Sequence, residues 1–133
     1  MAAEKIICDT DVMIDYWNTK NKRHLKTKST IENKIGLDNV VLSAVTKMEL
    51  IYGAMNKSDL LIISKKLSRF NIALINNEIT LKSFSLIQNY SLSHRLSLPD
   101  GMIAATAIIT ELEFFTYNTK DFKFIPELKL YKI

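Results

Sequence analysis

Four carboxylates in this 133-residue chain stand where an α/β protein collects its chemistry, at the ends of apolar segments. Asp9 follows Ile6-Ile7-Cys8 directly, where solvent is scarce, and Asp11 and Asp15 come soon after. Glu49 lies beyond the apolar run Asn39–Ala44, Asp100 opens the apolar segment Met102–Leu112, and Asp121 lies just past Phe114–Tyr117. Each has a plainer reading taken alone. Asp11 suits the cap of a helix beginning near Val12, as does Thr10. Glu49 falls at the edge of an apolar stripe, where an exposed Glu is ordinary. Asp100 at a helix start is favoured by the dipole by roughly 0.3–1 kcal/mol. Gathered in one crevice, four acids cannot all stay ionised without a cation. Donors that are all oxygen suit Mg²⁺ or Mn²⁺, and no His or Cys cluster offers itself to zinc. His24 and His94 are isolated.

The elements that must position these acids follow from hydrophobic period and punctuation. Ile6–Cys8 reads as a buried strand, followed by a short helix and a segment that runs to a helix stop at Gly36. Residues 39–44 make a second strand. An amphipathic helix follows, with Val45, Met48, Tyr52 and Met55 expected toward the core. Residues 58–70 form a helix capped by Ser58, residues 72–75 a strand, and 77–94 another helix. Pro99 suits the first turn of a helix that is then buried on most of its surface. Residues 114–117 form the last core strand, and 128–133 a short edge strand. Helices alternating with short apolar strands argue for one α/β domain over residues 1–133, with a mostly parallel sheet. The carboxyl ends of such strands share one crevice.

The net charge is +4, and its distribution is uneven. Residues 16–31 contain no acid, whereas Lys20, Lys22, Arg23, His24, Lys26 and Lys28 fall within nine positions. A solvated surface is the ordinary explanation. Beside an acidic cluster, the run also suits a phosphate backbone. A single cysteine excludes an internal disulfide and fits a reducing compartment. No apolar run is long enough to span a membrane and no secretory segment is evident, so a cytoplasmic protein without a membrane partner is expected.

Four segments in order, ICDTDVMIDYW, SAVTKMELIYGA, LPDGMIAATAI and FFTYNTKDF, resemble the signature segments of PIN-domain ribonucleases, the VapC-type toxins of toxin–antitoxin modules in particular. The resemblance covers essentially the whole chain. It implies a PIN-like α/β/α sandwich and a Mg²⁺- or Mn²⁺-dependent endoribonuclease, neutralised by a cognate antitoxin and forming a homodimer. Carried over by position, Asp9, Glu49 and Asp100 match the core acids. The fourth position falls on Asn118, Asp121 or both, and Asp15 stands behind the ligands. Asp11 occupies a place where these toxins often carry Asn, and is read as a helix cap. Lys20, Lys22, Arg23 and Lys26 are expected to hold the RNA backbone. Asp9-Thr10-Asp11-Val12 also fits the opening of the aspartate-nucleophile, haloacid dehalogenase-like phosphatases, with Asp9 as nucleophile and Asp11 as acid/base. Such an enzyme needs a second acidic pair after a strand, which Asp100 does not supply. A third reading keeps the PIN-like fold as an inactive RNA- or protein-binding module.

Overall fold

The computed structural model describes residues 4–133. Its centre is a four-stranded sheet of β1 (Ile6–Cys8), β2 (Val40–Ser43), β3 (Asn71–Ala73) and β4 (Glu113–Phe115), in the order β3-β2-β1-β4 and parallel throughout. Parallel neighbours need crossover connections, and these put helices on both faces of the sheet. That is why the central strands read as unbroken apolar runs. Ile7 and Phe114 pack with α5 (Asn77–His94) and α6 (Leu98–Thr110) on one face. Ile6, Cys8, Leu42 and Phe115 pack on the other, with α1 (Thr10–Trp17), α2 (His24–Ser29), α3 (Ala44–Tyr52) and α4 (Lys57–Leu67) completing the layers. Cys8 is fully buried, and burial pushes its thiol pKa up.

Helix α2 runs on into a wider turn, Thr30–Ile35, closed by the Gly36 N–H on the Ile31 carbonyl at 2.8 Å. Gly36 has φ +91°, a conformation that costs a residue with a Cβ, so the expected helix stop is a requirement of the backbone. Gly101 is required for a different reason. A Cβ there would lie 2.9 Å from Ile87 Cγ1, so its absence lets α5 and α6 close on each other beside Asp100.

Several local expectations are corrected. Asp9 itself caps α1, accepting the Thr10 N–H at 2.8 Å, so neither Thr10 nor Asp11 is the cap. Helix α4 begins one residue before Ser58 and is capped by Asn56, whose side chain accepts the Asp59 N–H. The last segment makes a single bridge, Leu130 to Phe114, in place of a strand over 128–133. The largest change concerns α3. Its buried residues are Val45, Thr46 and Leu50, while Met48, Tyr52 and Met55 are 53%, 92% and 86% exposed. Periodicity locates an apolar stripe without saying what covers it, and here a threonine takes the inward position that Met48 was expected to hold.

Candidate active site

Strand β1 ends at Cys8, and the next residue turns out of the sheet at its carboxyl edge. The Asp9 N–H still pairs with the Phe115 carbonyl at 2.9 Å, which ties the acid to the end of β4. Both carboxylate oxygens of Asp9 are held: Oδ1 by the Thr10 N–H, and Oδ2 by the Thr116 hydroxyl at 2.8 Å. Thr116 also accepts the Asn118 N–H at 3.0 Å. Burial, then the charge of Asp11 and more weakly that of Asp100, push the Asp9 carboxyl up to about 7, against the lowering effect of its hydrogen bonds. A carboxyl titrating near neutrality at a strand end marks a functional site.

Asp11 sits in the first turn of α1. Its Oδ2 accepts the Tyr117 N–H at 3.0 Å, while its buried Oδ1 has no partner. Burial raises its pKa as well. Asp100 stands in the first turn of α6, which is capped by Ser97. It is raised by burial first, then by the charges of Asp121, Glu49 and Asp11. The structure therefore brings Asp9, Asp11, Glu49, Asp100 and Asp121 into one neighbourhood. Glu49 and Asp121 are exposed at its rim. Thr10 donates to Glu49 Oε1 at 2.6 Å, so Glu49 is directed inward from a solvent-facing position. Asn118 reaches the same edge as the residue before the short turn Thr119–Asp121, with its side chain exposed.

Sequence reasoning misses three threonines, although each lies inside one of the four signature segments. Thr10 holds Glu49, Thr116 holds Asp9, and the Thr46 hydroxyl stands 3.1 Å from that of Thr10. The available signal is position: Thr10 lies between two acids, Thr46 is on the inward side of α3 one turn before Glu49, and Thr116 directly follows the apolar strand β4.

Asp15 lies one turn after Asp11 on the same helix. It is buried and fully occupied: Oδ2 takes Arg23 Nε at 2.7 Å and Oδ1 takes Asn21 Nδ2 at 2.8 Å. The Arg23 guanidinium lies 4.1 Å from the Tyr117 ring centroid, and the Tyr117 hydroxyl meets that of Thr27 at 2.6 Å. The basic segment is thus clipped to the loop that carries Thr116 and Asn118. Lys20, Lys22 and Lys26 are exposed along the same segment.

Every donor in the acidic cluster is an oxygen, and one buried carboxylate oxygen is unsatisfied. Both facts fit a hard divalent cation. Among the described residues, no group of three His, Cys, Asp or Glu stands at the spacing that would hold one ion. Asp9 and Asp11 are fixed by backbone hydrogen bonds, whereas Glu49, held by the Thr10 hydroxyl, and Asp121 stand exposed at the rim.

Residues 6–128 match the PIN domain family. A curated relative, Ribonuclease VapC19 of Mycobacterium tuberculosis, is 25% identical over 92% of this chain and 96% of its own length. A solved toxin–antitoxin complex from Klebsiella pneumoniae contains a chain 31% identical, with a TM-score of 0.74 over 97% of this chain and 100% of that one. The VapBC-1 structure from nontypeable Haemophilus influenzae superposes with a TM-score of 0.74 at 25% identity, covering 96% of each chain. The haloacid dehalogenase-like reading of the Asp9–Val12 opening falls with this match, since both the family and the full-length folds are of another kind. The chain belongs to the PIN domain family.

Proposed function

We propose that this protein is a metal-dependent endoribonuclease, the toxin of a toxin–antitoxin pair. The observation that carries the reading is Asp9: buried at a parallel strand end, held on both oxygens, and pushed up to about 7 by burial and neighbouring acids. Asp9, Glu49, Asp100 and Asp121 would hold Mg²⁺ or Mn²⁺, with Asn118 at the edge. Such an ion, when bound, supplies a more acidic water and positive charge where a phosphodiester accumulates negative charge. The chain's own residues then supply position. Thr116 fixes Asp9, Thr10 directs Glu49 and the first turn of α6 presents Asp100. Exposed Lys20, Lys22 and Lys26 lie along the segment joined to this edge and suit the RNA backbone. An inactive binding module would have no use for this set of converging acids. All the elements on both faces share one sheet, which supports a single domain.

The partners follow from two surfaces. A groove of about 500 Å³ between α1, α3 and α4 is lined by Ile14, Trp17, Leu50 and Ile63, with Glu49 and Lys20 among its walls. An apolar antitoxin segment fits that groove, and a basic side chain from it would reach the acids. Met48, Tyr52, Leu98, Pro99 and Met102 line a separate apolar hollow on α3 and α6, which suits a second copy of this chain. No helix among the described residues is long and apolar enough to cross a membrane.

The test is cleavage of RNA by pure protein with Mg²⁺, with Mn²⁺ and with excess chelator. Cleavage that needs the ion and is suppressed by the co-expressed antitoxin is expected. Undiminished cleavage in chelator would rule the mechanism out, and a monomer by light scattering at micromolar concentration would remove the dimer.

A further inference from the structure

We infer that Asp11 is a direct ligand of the cation through Oδ1, a fifth carboxylate in the site. The inference rests on the metal-dependent reading above and adds a residue to it. Asp11 Oδ1 is the one buried side-chain oxygen or nitrogen among the described residues that lacks a hydrogen-bond partner. Its carboxylate cannot turn to find one, because Oδ2 is held by the Tyr117 N–H at 3.0 Å. The nearby Val12 N–H favours the charged carboxylate, but it makes its hydrogen bond to the Asp9 carbonyl at 3.1 Å and leaves Oδ1 without one. Arg23 is near enough to favour the charged form, but its Nε is bound to Asp15 at 2.7 Å and its guanidinium stacks on Tyr117. The side chains facing Asp11 within the cluster are otherwise acids, Asp9 and Asp100.

A buried carboxylate oxygen with no donor calls for a cation, a proton or a water. The surroundings favour the cation. A proton would relieve one acid, whereas a divalent charge at Oδ1 also offsets the repulsion among Asp11, Asp9 and Asp100. The Tyr117 N–H also gives the oxygen the fixed aim that metal ligands have when a partner behind them sets their orientation. Asp11 thereby gives the site a second rigid carboxylate beside Asp9, while Glu49 and Asp121 close from the rim.

Mn²⁺ is titrated into the parent, Asp11→Asn and Asp100→Asn, with free ion followed by electron paramagnetic resonance, and all three are melted in chelator. Asn keeps an oxygen for the Tyr117 N–H and removes the charge. Asp11→Asn should bind Mn²⁺ at least about tenfold more weakly than the parent. It should melt in chelator no lower than the parent. Binding within twofold of the parent overturns the assignment, leaving Oδ1 to a proton or water. A parent that binds no Mn²⁺ overturns the metal-dependent reading and this inference together. Binding that Asp100→Asn loses and Asp11→Asn keeps overturns this inference alone. If Asp11→Asn fails to fold, the parent itself decides: the Asp11 Cγ resonance, assigned through its own backbone, should move on Mg²⁺ addition. A resonance that stays in place while Mg²⁺ binds refutes the contact.

Discussion

Asp11 and Asp15 lie one helical turn apart on α1, yet they have opposite surroundings. Asp15 is 5% exposed and has a donor on each oxygen, one of them the charged Arg23. Asp11 has the Tyr117 N–H on one oxygen, no hydrogen bond on the other, and no cation in direct contact. The protein pairs Asp15 directly with a counter-charge, whereas the same Arg23 acts on Asp11 only through space. A structural carboxylate is satisfied by its own chain, while a binding carboxylate is left incomplete at a cost in the metal-free state. The same distinction separates the two ends of the chain of interactions Asp15–Arg23–Tyr117. It is closed where it joins α1 to the basic segment, and open where the Tyr117 N–H reaches Asp11.

The largest effect should come from the open side. Asp100→Asn should lower RNA cleavage by about 10³-fold or more, equivalent to about 4 kcal/mol in the transition state, because it removes charge proposed to hold the ion. In chelator the variant should melt at or above the parent, since one repelling charge is gone. A variant that melts well below the parent in chelator would make Asp100 a structural helix-start residue and would move the open region elsewhere.

Next in size is a pH dependence confined to the metal-free protein. Asp9 has an ordinary pKa of 3.8 and is pushed up to about 7 in the fold, with burial as the main cause. Between those values the folded state keeps a proton that the unfolded chain has released. Raising the pH through this window therefore favours unfolding, and the loss is complete above about 7. The window corresponds to a loss on the order of 4 kcal/mol at most. Melting in chelator at pH 4.5, 6 and 8 should show falling stability in the parent and a flatter profile in Asp9→Asn. A parent that gains stability over this range would contradict the raised carboxyl.

Much of this contrast is legible in the sequence, and the reason it is only part is physical. An acid directly after an apolar run marks the carboxyl edge of a parallel sheet, so order alone places Asp9 there, while Asp100 is marked by opening a buried helix and Asp121 by following the last strand. The period of α3 is equally visible, but not its rotation. Met48 and Tyr52 face solvent because Thr46 and Leu50 pack inward, and a hydroxyl pointing at the site leaves no mark in a hydrophobicity pattern. The roles of Asp11 and Asp15 lie beyond sequence reading for a similar reason. Asp15 is satisfied by residues six and eight positions on, in a turn whose shape no periodicity encodes. Asp11 is held by a backbone N–H from Tyr117, more than a hundred residues away, and backbone donors are the same in every sequence.

On the closed side, Asp15→Asn should act in the opposite direction from Asp11→Asn. Removing its charge leaves Arg23 half-buried without its partner and loosens the stacked Tyr117, at a cost of about 1–3 kcal/mol with or without metal. Melting curves in chelator would therefore separate the two residues by sign: Asp11→Asn level or up, Asp15→Asn down. Equal losses for both would erase the distinction between a satisfied and a waiting carboxylate.

The smallest effect divides the basic segment along the same line. Arg23 is committed to Asp15 and Tyr117, whereas Lys22 and Lys26 are exposed on the same stretch. By sequence alone all of them are equivalent phosphate ligands. The structure separates them, because a side chain that holds the fold together has less freedom to follow an RNA backbone than one projecting into solvent. Replacing Lys22 and Lys26 together by Gln should weaken binding to all single-stranded RNA alike. The slope of log K against log salt should fall by about 0.7 for each phosphate no longer neutralised, about 1.4 for the pair. Stability should barely change, since exposed lysines contribute little to it. Arg23→Gln should instead lower the melting temperature while changing the salt slope by less than a single phosphate would. Binding isotherms of catalytically inactive Asp100→Asn at three salt concentrations, without and with these changes, supply the comparison. If Arg23→Gln alone lowers the slope by a full phosphate and leaves melting untouched, its pairing with Asp15 is incidental and the arginine belongs with the RNA.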